Sequence, residues 1–486
     1  MSILATIRSH AARYPDRPAH VSGGRSLTYG ELWTRSDALA ACLLETQPGE
    51  RSPVVVRGHK EPEMLVAFLA AVKAGRPYVP IDCSIPEDRA QRIIAASGAS
   101  TVWHAADLPT APARTTAEAE WVGADDVYYI IYTSGSTGEP KGVQITRGAL
   151  DSFIAWMLGE QRFTEAGEVF LNQAPFSFDL SVMDLYCSLA TAGTLFSLEK
   201  PVVENPKRLF EVLASSGITT WVTTPSFAVM CLAEKRFDRT MLPAMRRFLF
   251  CGETLPVDCA AQLLERFPGA AVWNTYGPTE ATVATTSVPV TPALLAQGGA
   301  LPVGYPRPAS TIKVVDDQGR PVPEGERGEI WIAGPHVSVG YLNNPAQTEK
   351  AFFLLDGERA YRTGDWGRFR DGQLYFEGRM DFQIKLHGYR IELGDIEAHL
   401  RALDGVEDAV VLPALKDGAA QWLAAFVVLR ERPAGATDFA VSQGLRQALG
   451  ARLPAYMLPR KCYFVESFPM TPNGKADRRK LAEVLA

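Results

Sequence analysis

The sequence has no C-x-x-C pair among its seven cysteines and no H-E-x-x-H or H-x-H spacing among its seven histidines. Neither a disulfide framework nor a zinc site is therefore indicated. It has no run of basic residues interleaved with aromatics, and its formal net charge is -6, which argues against a nucleic-acid surface. No apolar run can span a bilayer: the most apolar window, residues 64–75, is too short and contains Lys73. Residues 1–18 lack the apolar core of a signal peptide, so the expected localisation is cytoplasmic, without membrane insertion. Internal repeats and low-complexity segments are absent as well. What remains is an ordinary globular composition, 47% hydrophobic and 21% charged. At 486 residues the chain exceeds one hydrophobic core and is expected to form two or more domains.

One stretch organises the rest. The apolar run Tyr129-Ile130-Ile131-Tyr132 ends in Thr133-Ser134-Gly135-Ser136-Thr137-Gly138-Glu139-Pro140-Lys141-Gly142, which holds three glycines, four hydroxyl residues and one lysine. That is the composition needed to wrap a polyphosphate in backbone N–H groups, hydroxyl donors and a cation. It is not a Walker A loop, because Pro140 stands where G-x-x-x-x-G-K-[ST] needs a glycine.

Around it, strand and helix patterns alternate. Residues 53–56, 78–82, 101–103 and 125–132 read as strands, and 63–75 and 87–97 as helices, the first closed by glycine. This spacing predicts a doubly wound α/β layer. Further strands are predicted at 218–222, 247–250 and 271–273, each followed by a small-residue turn, and such turns can converge on one crevice. A β-rich section begins at 328–334. After Asp381 the pattern becomes α+β: a helix over 391–403, strands over 409–412 and 423–429, a surface loop at 433–437 and a helix over 442–453. A lone acid, Asp179, sits in the apolar stretch Phe176-Ser177-Phe178-Asp179-Leu180-Ser181-Val182-Met183-Asp184. It reads either as the counter-ion of a substrate cation or as a helix N-cap.

Five stretches in order identify a family resemblance: residues 132–142, Asn274-Thr275-Tyr276-Gly277-Pro278-Thr279-Glu280, Tyr361-Arg362-Thr363-Gly364-Asp365, residues 378–385, and Pro472-Asn473-Gly474-Lys475. They resemble the core motifs of the adenylate-forming superfamily, which includes acyl-CoA synthetases and the adenylation domains of nonribosomal peptide synthetases. Residues 172–181, Phe250-Cys251-Gly252-Glu253 and 385–390 resemble the stand-alone D-alanine carrier-protein ligases.

The resemblance implies a large N-terminal core over 1–380, with doubly wound sheets and a β-rich subdomain. A small mobile α+β domain over 381–486 would be hinged at Asp381. It implies ATP and Mg2+, a small amino acid, and a separate phosphopantetheinylated carrier protein, since no carrier-domain serine motif follows Lys475. By the same resemblance, Thr133, Ser134, Gly135, Ser136, Thr137, Gly138 and Lys141 would hold the β- and γ-phosphates, and Asn274, Gly277 and Thr279 would belong to the ATP site. Tyr276 would stack on adenine, Asp365 would accept from the ribose hydroxyls, and Arg379 would lie beside the ribose. Glu280 would ligate magnesium, and Lys475 would meet the α-phosphate as the catalytic cation. Gly388 would lie where the pantetheine arm passes. Asp179 would pair with the α-ammonium of the substrate, and Cys251 would lie near its Cα and methyl. The expected activity is ligation of D-alanine to a carrier. Alternatives are another small amino acid (L-alanine, glycine or proline) loaded onto a natural-product carrier, or acyl-CoA synthesis, which Asp179 opposes.

Overall fold

The computed structural model describes residues 2–110, 112, 114–135, 139–380, 383–386, 388–416, 419–431, 437–470 and 476–485. Local chemistry accounts for many of its elements. Helix Tyr29–Thr46 starts at a capping box, in which the Thr28 hydroxyl accepts from the Glu31 amide while the Glu31 carboxylate accepts from the Thr28 amide. Helix Pro62–Lys73 opens on proline at its first turn. The chain leaves it through Gly75 at φ 72, where a Cβ would stand 2.9 Å from the Glu120 carbonyl oxygen. Only glycine tolerates both conditions.

The contacts define two compact units, Met1–Cys83 with Ala96–Tyr132 and Gly142–Met380, and Ser84–Ala95 with Thr133–Lys141 and Asp381–Ala486. The first carries a nine-stranded sheet in the order Tyr305–Pro306, Thr286–Val290, Ala271–Tyr276, Arg247–Phe250, Thr220–Thr223, Val169–Asn172, Thr194–Ser197, Pro18–Ser22, Arg25–Thr28. From Ala271–Tyr276 to Pro18–Ser22 the neighbours run parallel, and both edges are antiparallel. A five-stranded sheet orders Thr101–His104, Val54–Gly58, Tyr78–Asp82, Val127–Thr133 and Lys141–Thr146. The strands Tyr78–Asp82 and Val54–Gly58 are buried on both faces for most of their length, as parallel strands between helical layers must be. The β-rich section is a separate antiparallel sheet around Gly328–Ala333 and Glu358–Arg370.

The second unit holds the hairpin Gln383–Leu386 and Tyr389–Glu392, the sheet Val406–Lys416, Ala419–Leu429 and Lys461–Phe464, and helices Leu393–Arg401 and Asp438–Gly450. Both of these helices start and end at residues other than those expected from the sequence. Ile391 pairs across the hairpin with Ile384, so the helix begins only at Leu393; an apolar residue serves strand and helix patterns equally. The later helix begins at Asp438 because the Thr437 hydroxyl accepts from the Ala440 amide. Residues 433–436 of the expected loop lie outside the described residues, and Thr437 is this helix cap. Among the described residues no helix is long and apolar enough to cross a membrane.

Two histidines of the first unit are fully buried, and burial pushes His20 and His336 down to about 3. Each takes up its proton later in the folded chain than in the unfolded one, so acid favours unfolding. Their contribution is intact above pH ~6.5 and is lost progressively toward pH ~3, at up to about 1.4 kcal/mol per pH unit for each histidine. Denaturant midpoints of wild type are expected to fall more steeply from pH 7 to pH 5 than those of His20→Phe. Parallel slopes would refute the assignment for His20.

Candidate active site

Parallel pairing sets the carboxyl ends of four strands along one sheet edge. Thr223 pairs with Phe250 and Phe250 with Asn274, and the strand Val169–Asn172 lies on the other side of Thr220–Thr223. The segment carrying Asp179, the turns at Thr224 and Cys251, and the turn 277–280 therefore leave from the same edge. That is where open α/β sheets bind ligands.

Asp179 occupies the N-cap position of helix Leu180–Ala190, yet its side chain makes no cap hydrogen bond. Its backbone is already helical, φ -62 and ψ -24, whereas a capping residue is typically extended so that its oxygen can reach back to the N2 or N3 amide. The carboxylate instead accepts a 2.7 Å hydrogen bond from the Thr279 hydroxyl and is buried. The N-cap alternative is thereby set aside for this side chain.

Behind that segment lies a buried polar network. The buried Lys60 ammonium donates to Asn172 Oδ1 at 2.5 Å and to the Ala174 carbonyl, and stands 4.6 Å over the Phe176 ring. The Asn172 amide donates to both oxygens of Asp184, at 3.0 and 3.1 Å, so it relays between a buried cation and a buried acid. Burial pushes Lys60 down to about 8 and Asp184 well up, each opposed by the charge of the other. Ser197 donates to Asn172 Oδ1 at 2.8 Å, which uses its only proton; it must then accept from His20 Nε2 at 2.8 Å, fixing that histidine as the Nε2–H tautomer. A buried network with this many hydrogen bonds restricts its members to one arrangement. It ties both ends of the Asp179 segment, at residues 172–176 and at Asp184.

The turn after Ala271–Tyr276 concentrates the other candidates. The Tyr276 hydroxyl donates to Asp365 Oδ2 at 2.5 Å, and Arg379 donates to Asp365 Oδ1 at 2.7 Å and to the Thr363 carbonyl at 2.8 Å. Burial, then the charge of Asp365, push the Tyr276 phenol well above its usual range. The Asp365 carboxylate is thus oriented from two sides, and each oxygen keeps a second lone pair for a ligand hydroxyl. Asn274 donates to the Pro302 carbonyl at 2.8 Å. At Gly277 a Cβ would stand 2.6 Å from Ala284 Cα, so the backbone approaches there as only glycine permits. Glu280 is fully buried, and the Tyr341 hydroxyl donates to its Oε1 at 2.8 Å. One hard carboxylate in a buried turn fits a magnesium ion completed by phosphate oxygens.

Two consecutive residues after Glu280, Thr282 at φ 56 and Val283 at φ 69, adopt left-handed backbone, a costly conformation for β-branched side chains. The Thr282 hydroxyl donates to the His336 carbonyl at 2.7 Å, and the Val283 carbonyl accepts from the buried Cys251 thiol at 3.5 Å. Cys251, Val283, Ala284, Ala174, Phe176 and Leu180 share one core cluster. The cysteine and the Asp179 segment thus pack into the same core.

The loop candidates belong to the second unit. Ser134 donates to the Arg390 carbonyl at 2.9 Å and accepts from the Glu392 amide at 3.1 Å, so in this conformation its hydroxyl is engaged by the hairpin. A Cβ on Gly135 would stand 2.2 Å from the Glu139 carbonyl oxygen, which explains glycine there. Thr133 ends the strand Val127–Thr133 and Lys141 begins Lys141–Thr146. Gly388 has φ 84 in the hairpin turn. Ser136, Thr137, Gly138, Asp381 and Lys475 lie outside the described residues. His59, Asp82 and Cys83 offer three possible ligand atoms within 4.8 Å of one another. Both His59 nitrogens already have partners, however: Nδ1 lies 2.7 Å from Asp82 Oδ2, and Nε2 accepts from the Lys200 amide at 3.1 Å.

The structure thus joins Asp179 to Thr279, Tyr276 to Asp365 and Arg379, and Glu280 to Tyr341. Sequence reasoning missed Tyr341, the Lys60 network and the strained Thr282–Val283 turn. A tyrosine or lysine in an apolar stretch carries no local signal of its distant partner. For the strained turn the only trace was two β-branched residues next to the Glu280 motif.

A family profile described as AMP-binding enzyme matches residues 7–342, and one described as AMP-binding enzyme C-terminal domain matches residues 395–475. The chain is 49% identical over 506 aligned positions to the D-alanine–D-alanyl carrier protein ligase of Bacillus mycoides (strain KBAB4), covering 100% of both. It is 50% identical over 505 positions to the enzyme of the same name from Bacillus anthracis (strain A0248), again covering 100% of both. Among solved structures it resembles an NRPS protein containing adenylation and PCP domains, bound to a vinylsulfonamide inhibitor. The TM-score is 0.83 at 27% identity, over 99% of this chain and 84% of that one. It also shares the fold of the Vibrio cholerae adenylation domain AlmE, with a TM-score of 0.86 at 23% identity over 99% and 97% of the two chains.

Proposed function

The chain belongs to the family of AMP-binding enzymes, and from that premise we propose that it ligates D-alanine to the phosphopantetheine thiol of a separate carrier protein at the expense of ATP. In the first step the amino-acid carboxylate attacks the α-phosphate, forming aminoacyl adenylate and releasing pyrophosphate. In the second the carrier thiol attacks the adenylate carbonyl, forming the thioester and releasing AMP.

The observation that carries the amino-acid part is the Asp179 carboxylate, buried and held by Thr279. A carboxylate at this position matches the α-ammonium of an amino acid, whereas a fatty or aryl acid would bring no cation to it. Cys251 and the Val283 backbone beside it leave room in this reading for a small substituent on Cα. Asp365 accepts from the ribose hydroxyls and Tyr276 stacks on adenine; because the Tyr276 hydroxyl also holds Asp365, base and ribose contacts share one support. Arg379 pairs with Asp365 and orients it. Residues 133–141 hold the β- and γ-phosphates, and Glu280 holds Mg2+, whose charge would offset that of the phosphates. Lys475 stabilises charge at the α-phosphate during adenylation. Asp381 is the hinge between a core over 1–380 and a mobile domain over 381–486, and a unit boundary between Met380 and Asp381 supports it.

Amino-acid-dependent pyrophosphate exchange tests the substrate. D-Alanine is expected to exceed L-alanine, glycine and proline by at least about tenfold, the discrimination that ~1.4 kcal/mol gives. Equal exchange with L-alanine or glycine would remove the D-alanine assignment. Thioester formation from free CoA and a non-amino acid would instead point to an acyl-CoA synthetase.

A further inference from the structure

The segment 338–342 lies between the strand Lys141–Thr146 and Glu280. On one side it lies antiparallel to the strand that follows the phosphate loop in the chain. The Leu342 amide donates to the Gly142 carbonyl at 2.8 Å, the Gln144 amide to the Gly340 carbonyl at 3.2 Å, and the Ser338 hydroxyl to the Gln144 carbonyl at 2.7 Å. Val143 forms an antiparallel bridge with Tyr341. On the other side it grips Glu280 twice: the Ser338 amide donates to the Glu280 carbonyl at 2.8 Å, and the Tyr341 hydroxyl donates to Oε1 at 2.8 Å.

Tyr341 itself is rigidly held. Its amide donates to the Thr348 hydroxyl at 3.0 Å, and its ring packs edge-on against Phe352 with centroids 5.3 Å apart. The ring is 5% exposed. A glutamate carboxylate rotates easily about its last torsion, which has only broad wells, so a fixed donor at one oxygen determines where the remaining lone pairs point.

We propose that Tyr341 is a positioning residue for the metal site, orienting the Glu280 carboxylate so that it meets a divalent cation. The proposal rests on the reading of Glu280 as the magnesium ligand. Outer hydrogen-bond partners of metal ligands typically control affinity by about 10- to 100-fold. Tyr341→Phe removes only the hydroxyl and leaves the ring contact and the main-chain pairing in place.

The test is Mn2+ binding, followed by electron paramagnetic resonance, to full-length enzyme with a non-hydrolysable ATP analogue. Tyr341→Phe is expected to weaken Mn2+ binding about tenfold, while binding of the analogue without metal stays within twofold of wild type. A purely structural role would lower thermal stability and leave Mn2+ affinity unmoved. Mn2+ affinity within twofold of wild type in Tyr341→Phe, with Glu280→Gln weakened, overturns the role of Tyr341 alone. Mn2+ affinity unmoved in Glu280→Gln as well overturns the metal assignment, and the proposal with it.

Discussion

Lys475→Ala is expected to lower amino-acid-dependent pyrophosphate exchange at least about a hundredfold, the loss that follows removal of one pre-aimed charge-stabilising donor. The lysine closes the motif Pro472-Asn473-Gly474-Lys475, where a solvated side chain is the default. What sets it apart is the demand of the chemistry. A pentacovalent α-phosphate and an incoming carboxylate gather negative charge at one point, and a compact ammonium on a flexible stem can reach it. The same variant, supplied with preformed aminoacyl adenylate, should still load the carrier within a few-fold of wild type, because the lysine is assigned to the first step alone. Exchange that stays within tenfold of wild type would remove Lys475 from the mechanism.

Asp179→Asn has the second largest expected effect. The amide keeps the shape of the carboxylate and an oxygen to accept from Thr279, but it carries no charge for the substrate ammonium. Removing one partner of a buried ion pair costs about 3–5 kcal/mol. The amino-acid kcat/KM should therefore fall by about two to four powers of ten, with the KM for ATP within about threefold of wild type. Equal changes in the two KM values would mean that Asp179 supports the fold of the site rather than the ammonium. The Lys60 network makes that comparison informative: it anchors the segment at Asn172, Ala174 and Asp184, none of which the substitution touches.

Much of the architecture was legible locally. The strand Arg247–Phe250 and the helix Glu87–Ser97 stand where periodicity puts them, because burial on two faces or one is written into neighbouring residues. The glycine that ends the helix Pro62–Lys73 was equally readable, since backbone conformation is a property of the residue that adopts it. Helix starts at Leu393 and Asp438 were less so. There a strand pairing and a threonine cap outweighed the apolar pattern.

The order of motifs along the chain was enough to name a family and its chemistry, since each motif is a short stretch whose residue types serve one ligand group. Side-chain partnerships were a different matter. Whether Asp179 caps its helix is undecided in the nine residues around it; a helical backbone at Asp179 and a hydroxyl 100 positions away decided against the cap. The phenol that orients Glu280 comes from 61 positions downstream. Hydrogen bonds across such separations leave no period or spacing in the chain, because they form only when folding brings the ends of distant strands to one edge.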